Sequence, residues 1–292
     1  MRALTPAPDL DGWAIVERLL ADLTSLAAPL WLVIDDLHEL GSAEARELFE
    51  AAGAELPDSA VMMLHERTEG WAAGLRMAAL SLAGHPDPER FAAEFSGTER
   101  TVAEYLLAEV LERQPGEVRR LLLRTSGLDR VNGELADLLT GVSGGERVLQ
   151  DLEEANAFVV SLDAARSWFR YHHLFAELLQ LELRRTRPED VAALHELAAG
   201  WLAGHGYPVE AIRHAQAARD WVLAARLLAD HWPGLYLGGQ EATVHALMAG
   251  FPARASSADA ELAAVAAADE LARGSLAAAE RYMGPAEPGI RP

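Results

Sequence analysis

Asp35 and Asp36 close the run Trp31-Leu32-Val33-Ile34-Asp35-Asp36, and two adjacent carboxylates at the end of an apolar strand are what a magnesium-dependent phosphate site needs. A buried parallel strand is apolar on both faces, and its C-terminal end carries its acids to the metal. The other half of such a site is a G-x-x-x-x-G-K-[ST] loop. Its backbone N–H groups cradle the phosphates, while its Lys and Ser or Thr supply charge and a metal contact. This chain contains no lysine and no such loop. The same strand end also has a plainer use, with Asp35 or Asp36 starting a turn or capping the next helix.

Further along, Gly70 and Gly74 sit inside an otherwise helical pattern, where each costs about 1 kcal/mol relative to Ala. Close backbone approach explains them better than propensity does. His172 and His173 follow a strand, but adjacent histidines do not easily share one metal ion, no H-E-x-x-H occurs and cysteine is absent. Arg184-Arg185-Thr186-Arg187 is the only dense basic run. It suits a phosphate contact, and equally a helix C-terminus, where the dipole favours cations. Neither a Gly-x-Ser-x-Gly elbow nor a Cys nucleophile is present, so an enzyme reading lacks a nucleophile.

The elements that must position these residues are mostly helical. Trp13, Val16, Leu19, Leu20 and Leu23 mark one amphipathic helix before Pro29, and the strand 30–34 follows it. Gly41-Ser42 offers a helix start, with Leu48 and Phe49 on its apolar face. A helical pattern resumes at Ser59 and centres on 68–82, and another runs from Thr101 to about Arg113 ahead of Pro115. Three short helices, around Leu121, Leu138 and Leu149, then precede two extended runs, 158–162 and 168–172. Three helices followed by a hairpin is a winged-helix order, closed by a helix from Leu174 to Arg184. Beyond Pro188 the pattern is short paired helices of alternating large and small apolar residues, suggesting tetratricopeptide-like repeats without a clean 34-residue period.

Composition narrows the choices. The 292 residues carry 45 acids against 25 basic residues, a net charge of −20, which repels nucleic acid. The winged-helix helices add Glu134, Asp137, Glu146, Asp151, Glu153 and Glu154 to that repulsion. No apolar stretch reaches the roughly 18 residues of a membrane span, and residues 1–20 lack a signal-peptide core, so the sequence predicts a cytoplasmic protein.

Six segments carry a resemblance. WLVIDDLHEL (31–40), RTEGWAAGLRMAALSL (67–82), FSGTERTVAEYLLAEVLERQP (95–115), LLRTSGLDRVNGELADLLTG (122–141), LEEANAFVVSLD (152–163) and WFRYHHLFAELL (168–179) occur in the order found in LuxR-type, ATP-dependent transcriptional regulators of the MalT-like family of signal-transduction ATPases. The chain resembles that family over most of residues 31–230. The resemblance implies an α/β nucleotide-binding domain, a helical domain, a winged helix, a repeat sensor and a DNA-binding helix-turn-helix. It also implies ATP and Mg²⁺ as cofactors of full-length relatives.

Carried over by motif, Asp35 would hold Mg²⁺ through water and Asp36 would orient or deprotonate the attacking water. Gly70 and Gly74 would approach the nucleotide base, and His172 or His173 would touch a bound phosphate. The sequence departs from the family pattern ahead of residue 13, between Asp36 and Arg67 and after residue 283. We therefore expect a mainly α chain: a truncated NTPase remnant (1–58), a helical domain (59–115), a winged helix with one β-hairpin (116–187) and incomplete tetratricopeptide-like repeats (188–292).

The expected function is that of a partial regulator with no active catalytic residue, no cofactor and no DNA contact of its own. A protein or small-molecule inducer would bind its repeats, where Trp201, Trp221, Trp232 and Tyr236 are the aromatics to watch, and it would associate with itself or with full-length relatives. A non-functional fragment of a split gene and an interaction protein that modulates full-length relatives are the alternatives. The strand at 30–34, lacking sheet partners, is expected to be mobile and prone to aggregation.

Overall fold

The computed structural model describes residues 41–52, 56–82, 87–252 and 259–283. The helix at 13–28, the strand at 30–34, and with them Asp35 and Asp36, lie outside the described residues. The chain is mainly α-helical, with one small sheet.

Helices α1 (Ser42–Ala51), α2 (Asp58–Thr68), α3 (Ala72–Leu82), α4 (Pro88–Glu94) and α5 (Arg100–Tyr105) form the first part. The sequence pattern centred on 68–82 is broken where Glu69 (φ 49°) and Gly70 (φ 75°) both enter the left-handed region. Two helices therefore meet at a corner there, and Gly70 serves that corner because a residue without Cβ adopts positive φ at little cost. Arg67 fastens the corner by donating to the Ala93 and Phe95 carbonyls at 2.6 and 2.8 Å, the end of α4. The helix expected to Arg113 begins as α5 and continues as a π-helical turn, Leu106–Leu111.

Helices α6 (Gly116–Thr125), α7 (Gly133–Thr140) and α8 (Gly145–Glu154) precede strands β2 (Val159–Ser161) and β3 (Trp168–Tyr171). The hairpin anticipated from sequence is in fact two strands of a three-stranded antiparallel sheet, because β1 (Val131–Asn132) pairs on the far side of β3, giving the order β1-β3-β2. Two residues carry no alternation, which is why β1 left no trace in the pattern. Asn132 also caps α7 by accepting from Leu135 N at 2.9 Å, and Asp137 caps α8 by accepting from Gly145 N at 2.7 Å. Asp137, one of the acids named on the winged helix, is thus spent on a helix start.

Helix α9 (His173–Thr186) leads into α10 (Asp190–Gly204), α11 (Pro208–Ala218), α12 (Trp221–Leu237), α13 (Glu241–Ala249), α14 (Ala260–Ala272) and α15 (Leu276–Met283). The third helix of this array is longer than its apolar spacing indicates and takes Pro233 inside it. One contiguous apolar core runs from Phe49 through Phe95, Phe169 and Phe175 to Leu262 and Val265. Trp201, Trp221, Trp232 and Tyr236 pack partly buried against it.

Candidate functional site: the joint between the helical corner and the winged helix

Three of the sequence motifs converge on one place. RTEGW supplies the α2–α3 corner, FSG the turn after α4, and RYHH the passage from β3 into α9. Arg170 on β3 holds the Glu69 carboxylate with two nitrogens, Nη1 to Oε1 at 2.9 Å and Nη2 to Oε2 at 2.7 Å. The backbone N–H of His173 donates to Glu69 Oε1 at 3.1 Å. Next door, His172 Nε2 donates to the Thr68 carbonyl at 2.8 Å. A carbonyl only accepts, so this contact fixes the proton on Nε2 and leaves Nδ1 a bare acceptor, buried and without a partner.

Charge is tuned accordingly. Burial pushes the Glu69 carboxyl up, but the hydrogen bond from Arg170, the nearby His172 ring, the His173 N–H and the Arg170 charge together outweigh it and hold the acid below its ordinary value. Burial, opposed by Glu69 and the Thr68 carbonyl, pulls His172 below its ordinary value, so the ring is neutral at physiological pH. His173 is exposed, with Nδ1 3.6 Å from Glu69 Oε1.

An aromatic cluster backs the polar contacts. Trp71 meets Phe158 edge-on with ring centroids 5.0 Å apart, and lies 6.2 Å from His172 and 5.8 Å from Tyr105. Phe158 sits at φ 60°, a costly conformation for an aromatic residue, and rests against His172 and Phe175. Such strain persists only where the surroundings over-determine it. Gly74 leaves room for Trp71, since an added Cβ would lie 2.4 Å from Trp71 Cε3. The crowding at Gly74 thus comes from the Trp71 side chain, not from the backbone approach expected there.

Gly97 provides the other anchor. A Cβ there would fall 1.8 Å from the Leu174 carbonyl oxygen, and the Gly97 N–H donates to Glu177 Oε2 at 2.6 Å. The turn after α4 is thereby pressed directly on the backbone of α9.

The structure thus brings Gly70, Gly74, His172 and His173 to one joint. The contacts that hold it also involve Glu69, Arg170, Phe158 and Gly97, which sequence reasoning did not single out. Glu69 and Arg170 stand 101 residues apart, and only their opposite charges beside motif residues hinted at the pair. Among the described residues no group of three or more His, Asp and Glu could hold a metal ion, and no described helix is long and apolar enough to cross a membrane.

Residues 107–191 match the model of the MalT winged helix domain. The serine/threonine-protein kinase PknK of Mycobacterium tuberculosis (strain ATCC 25618 / H37Rv) is 34% identical over 202 residues, 66% of this chain and 18% of that protein. The HTH-type transcriptional regulator MalT of Serratia proteamaculans (strain 568) is 32% identical over 212 residues, 68% of this chain and 23% of the relative. MalT of Yersinia pestis (strain Pestoides F) is 31% identical over 241 residues, 79% of this chain and 27% of the relative. The chain spans about a fifth to a quarter of the length of the curated relatives it matches.

Proposed function

We propose that this chain, a MalT-like transcriptional regulator by its winged helix and its relatives, acts as a coupling unit. It would pass the state of the helical corner to the winged helix and on to the repeats, without hydrolysing ATP or contacting DNA itself. The observation that carries this reading is the double contact across the joint, Glu69 to Arg170 and Thr68 to His172. Two elements far apart in sequence are clasped by a few directional bonds laid over the aromatic contacts of Trp71 and Phe158, and such bonds can be made and broken as a unit.

The same residues argue against phosphate gripping by this joint. A phosphate approaching His172 would face an unprotonated Nδ1 and the neighbouring Glu69 carboxylate, and the chain offers no lysine to offset its charge. In full-length relatives ATP and Mg²⁺ would be supplied with further donors. The net charge of −20 likewise opposes DNA binding by the winged helix. An inducer or protein partner would act through the repeats beyond residue 188, and self-association or association with full-length relatives would deliver the output.

The test uses a transcriptional reporter driven by a full-length MalT-like regulator. Co-expression of this chain is expected to change inducer-dependent output, and Arg170→Gln is expected to remove the effect while circular dichroism shows the helices retained. An Arg170→Gln chain as effective as the original would refute the coupling role. Magnesium-dependent release of phosphate from ATP by the purified chain would refute the nucleotide part.

A further inference from the structure

The basic run Arg184-Arg185-Thr186-Arg187 takes no part in the joint. Its last three residues, Arg185, Thr186 and Arg187, form one lip of a cavity of about 680 Å³ between the π-helical turn, α6 and the C-terminal end of α9. That volume falls among small-molecule sites, which span about 300–1,000 Å³. Leu107, Leu111, Leu123 and Leu183 make its apolar lining. Five arginines line it, Arg119, Arg120 and Arg124 from α6 with Arg185 and Arg187, against Glu112, Glu182 and Glu189.

Several of these charges are already engaged. Arg120 donates to the Thr140 carbonyl at 2.7 Å, Arg124 to the Leu139 carbonyl and Asp190, and Arg185 to Glu182. Arg119 and Arg187 are exposed and, among the described residues, their guanidinium groups have no hydrogen-bond or ion-pair partner. The helix dipole accounts for cations at the end of α9 but not for Arg119, which stands near the N-terminal end of α6, where the dipole disfavours a cation. Arg119 stands against its own helix dipole and lines the same cavity as Arg187, so two unpartnered guanidinium groups are on offer to an anion that enters it. The π-helical turn contributing Leu107 and Leu111 is itself a rare geometry that clusters at functional sites.

We propose that this cavity binds a small organic phosphate, its phosphoryl group held by Arg119 and Arg187 and its body laid over the leucines. The site is separate from the joint and does not depend on the coupling role. Calorimetric titration of the whole chain tests it, with fructose 1,6-bisphosphate, inorganic phosphate and fructose as probes. One molecule of the sugar bisphosphate is expected to bind, more tightly than inorganic phosphate, while fructose gives no heat. The double variant Arg119→Gln/Arg187→Gln is expected to weaken binding by about tenfold or more. Arg113→Gln, which removes an exposed arginine outside the cavity, is expected to leave it unchanged. Absence of binding at millimolar bisphosphate, equal affinity for inorganic phosphate, unchanged affinity in the double variant, or an equal loss in Arg113→Gln would each overturn the proposal.

Discussion

Arg170 and Glu69, 101 residues apart, meet in a two-pronged ion pair at 2.9 and 2.7 Å that ties a strand of the winged helix to the corner between α2 and α3. The forked guanidinium matches the carboxylate, so direction is fixed as well as distance. Everything else at the joint is arranged around that pair.

Removing one partner leaves the other half-buried and unmatched. Arg170→Gln should therefore cost about 2 kcal/mol, between the values typical of exposed and buried pairs, read as a lowered midpoint in urea. Arg170→Lys should recover only part of that, since an ammonium cannot engage both oxygens in plane.

Acid should loosen the same contact. The Glu69 carboxyl is held below its ordinary value of 4.5, so it stabilises the fold fully above that pH and the contribution is lost as pH falls through the lower folded value. The pH dependence of stability below about 4.5 should be shallower in Glu69→Gln than in the original chain. Parallel curves would show that the ion pair contributes nothing to linkage.

A second acid-sensitive contact lies between α10 and α11, where His195 Nδ1 and His214 Nδ1 are 2.8 Å apart and share a proton. Burial, with the His195 ring beside it, pushes His214 down to about 4 from 6.5, and burial lowers His195 as well. The unfolded chain binds more protons in that window, so stability falls as pH drops from 6.5 towards 4. His214→Asn should flatten the melting temperature against pH over that range.

Gly97→Ala should be the most damaging small change. With the Leu174 carbonyl only 1.8 Å from the new Cβ, the turn after α4 must lift off α9. The expected cost is about 3 kcal/mol or more, accompanied by loss of amide protection at Gly97. Gly116→Ala, where nothing lies within 4 Å, is the neutral control.

Arg130 clamps the winged helix to the helices that follow it. Its guanidinium lies 4.7 Å from the Trp168 ring and 4.6 Å from the Tyr207 ring, and pairs with Glu210 at 2.7 Å. Arg130→Ala should cost about 1–3 kcal/mol through lost stacking as well as lost charge and speed proteolysis between residues 186 and 190.

Periodicity was enough to find the three winged-helix helices, both hairpin strands and the first helices beyond Pro188, because each buries an apolar stripe against the core. It could not find β1, whose two residues have no period, nor the break at Glu69 and Gly70, where the apolar spacing continues straight through a change of direction. Gly70, Gly74, His172 and His173 were visible by type, and the structure gathers them. Glu69 and Arg170 were not, since a pairing over such a separation is decided by the fold and leaves no local mark. The length of α12 was hidden by Pro233, which reads as a stop but lies inside the helix.

His173 begins α9 and Thr186 ends it, so one helix of 14 residues, about 20 Å long, has its head at the clasp and its tail beside the arginine-lined hollow. A ligand in the hollow would lie against the same rod whose first turn carries the clasp.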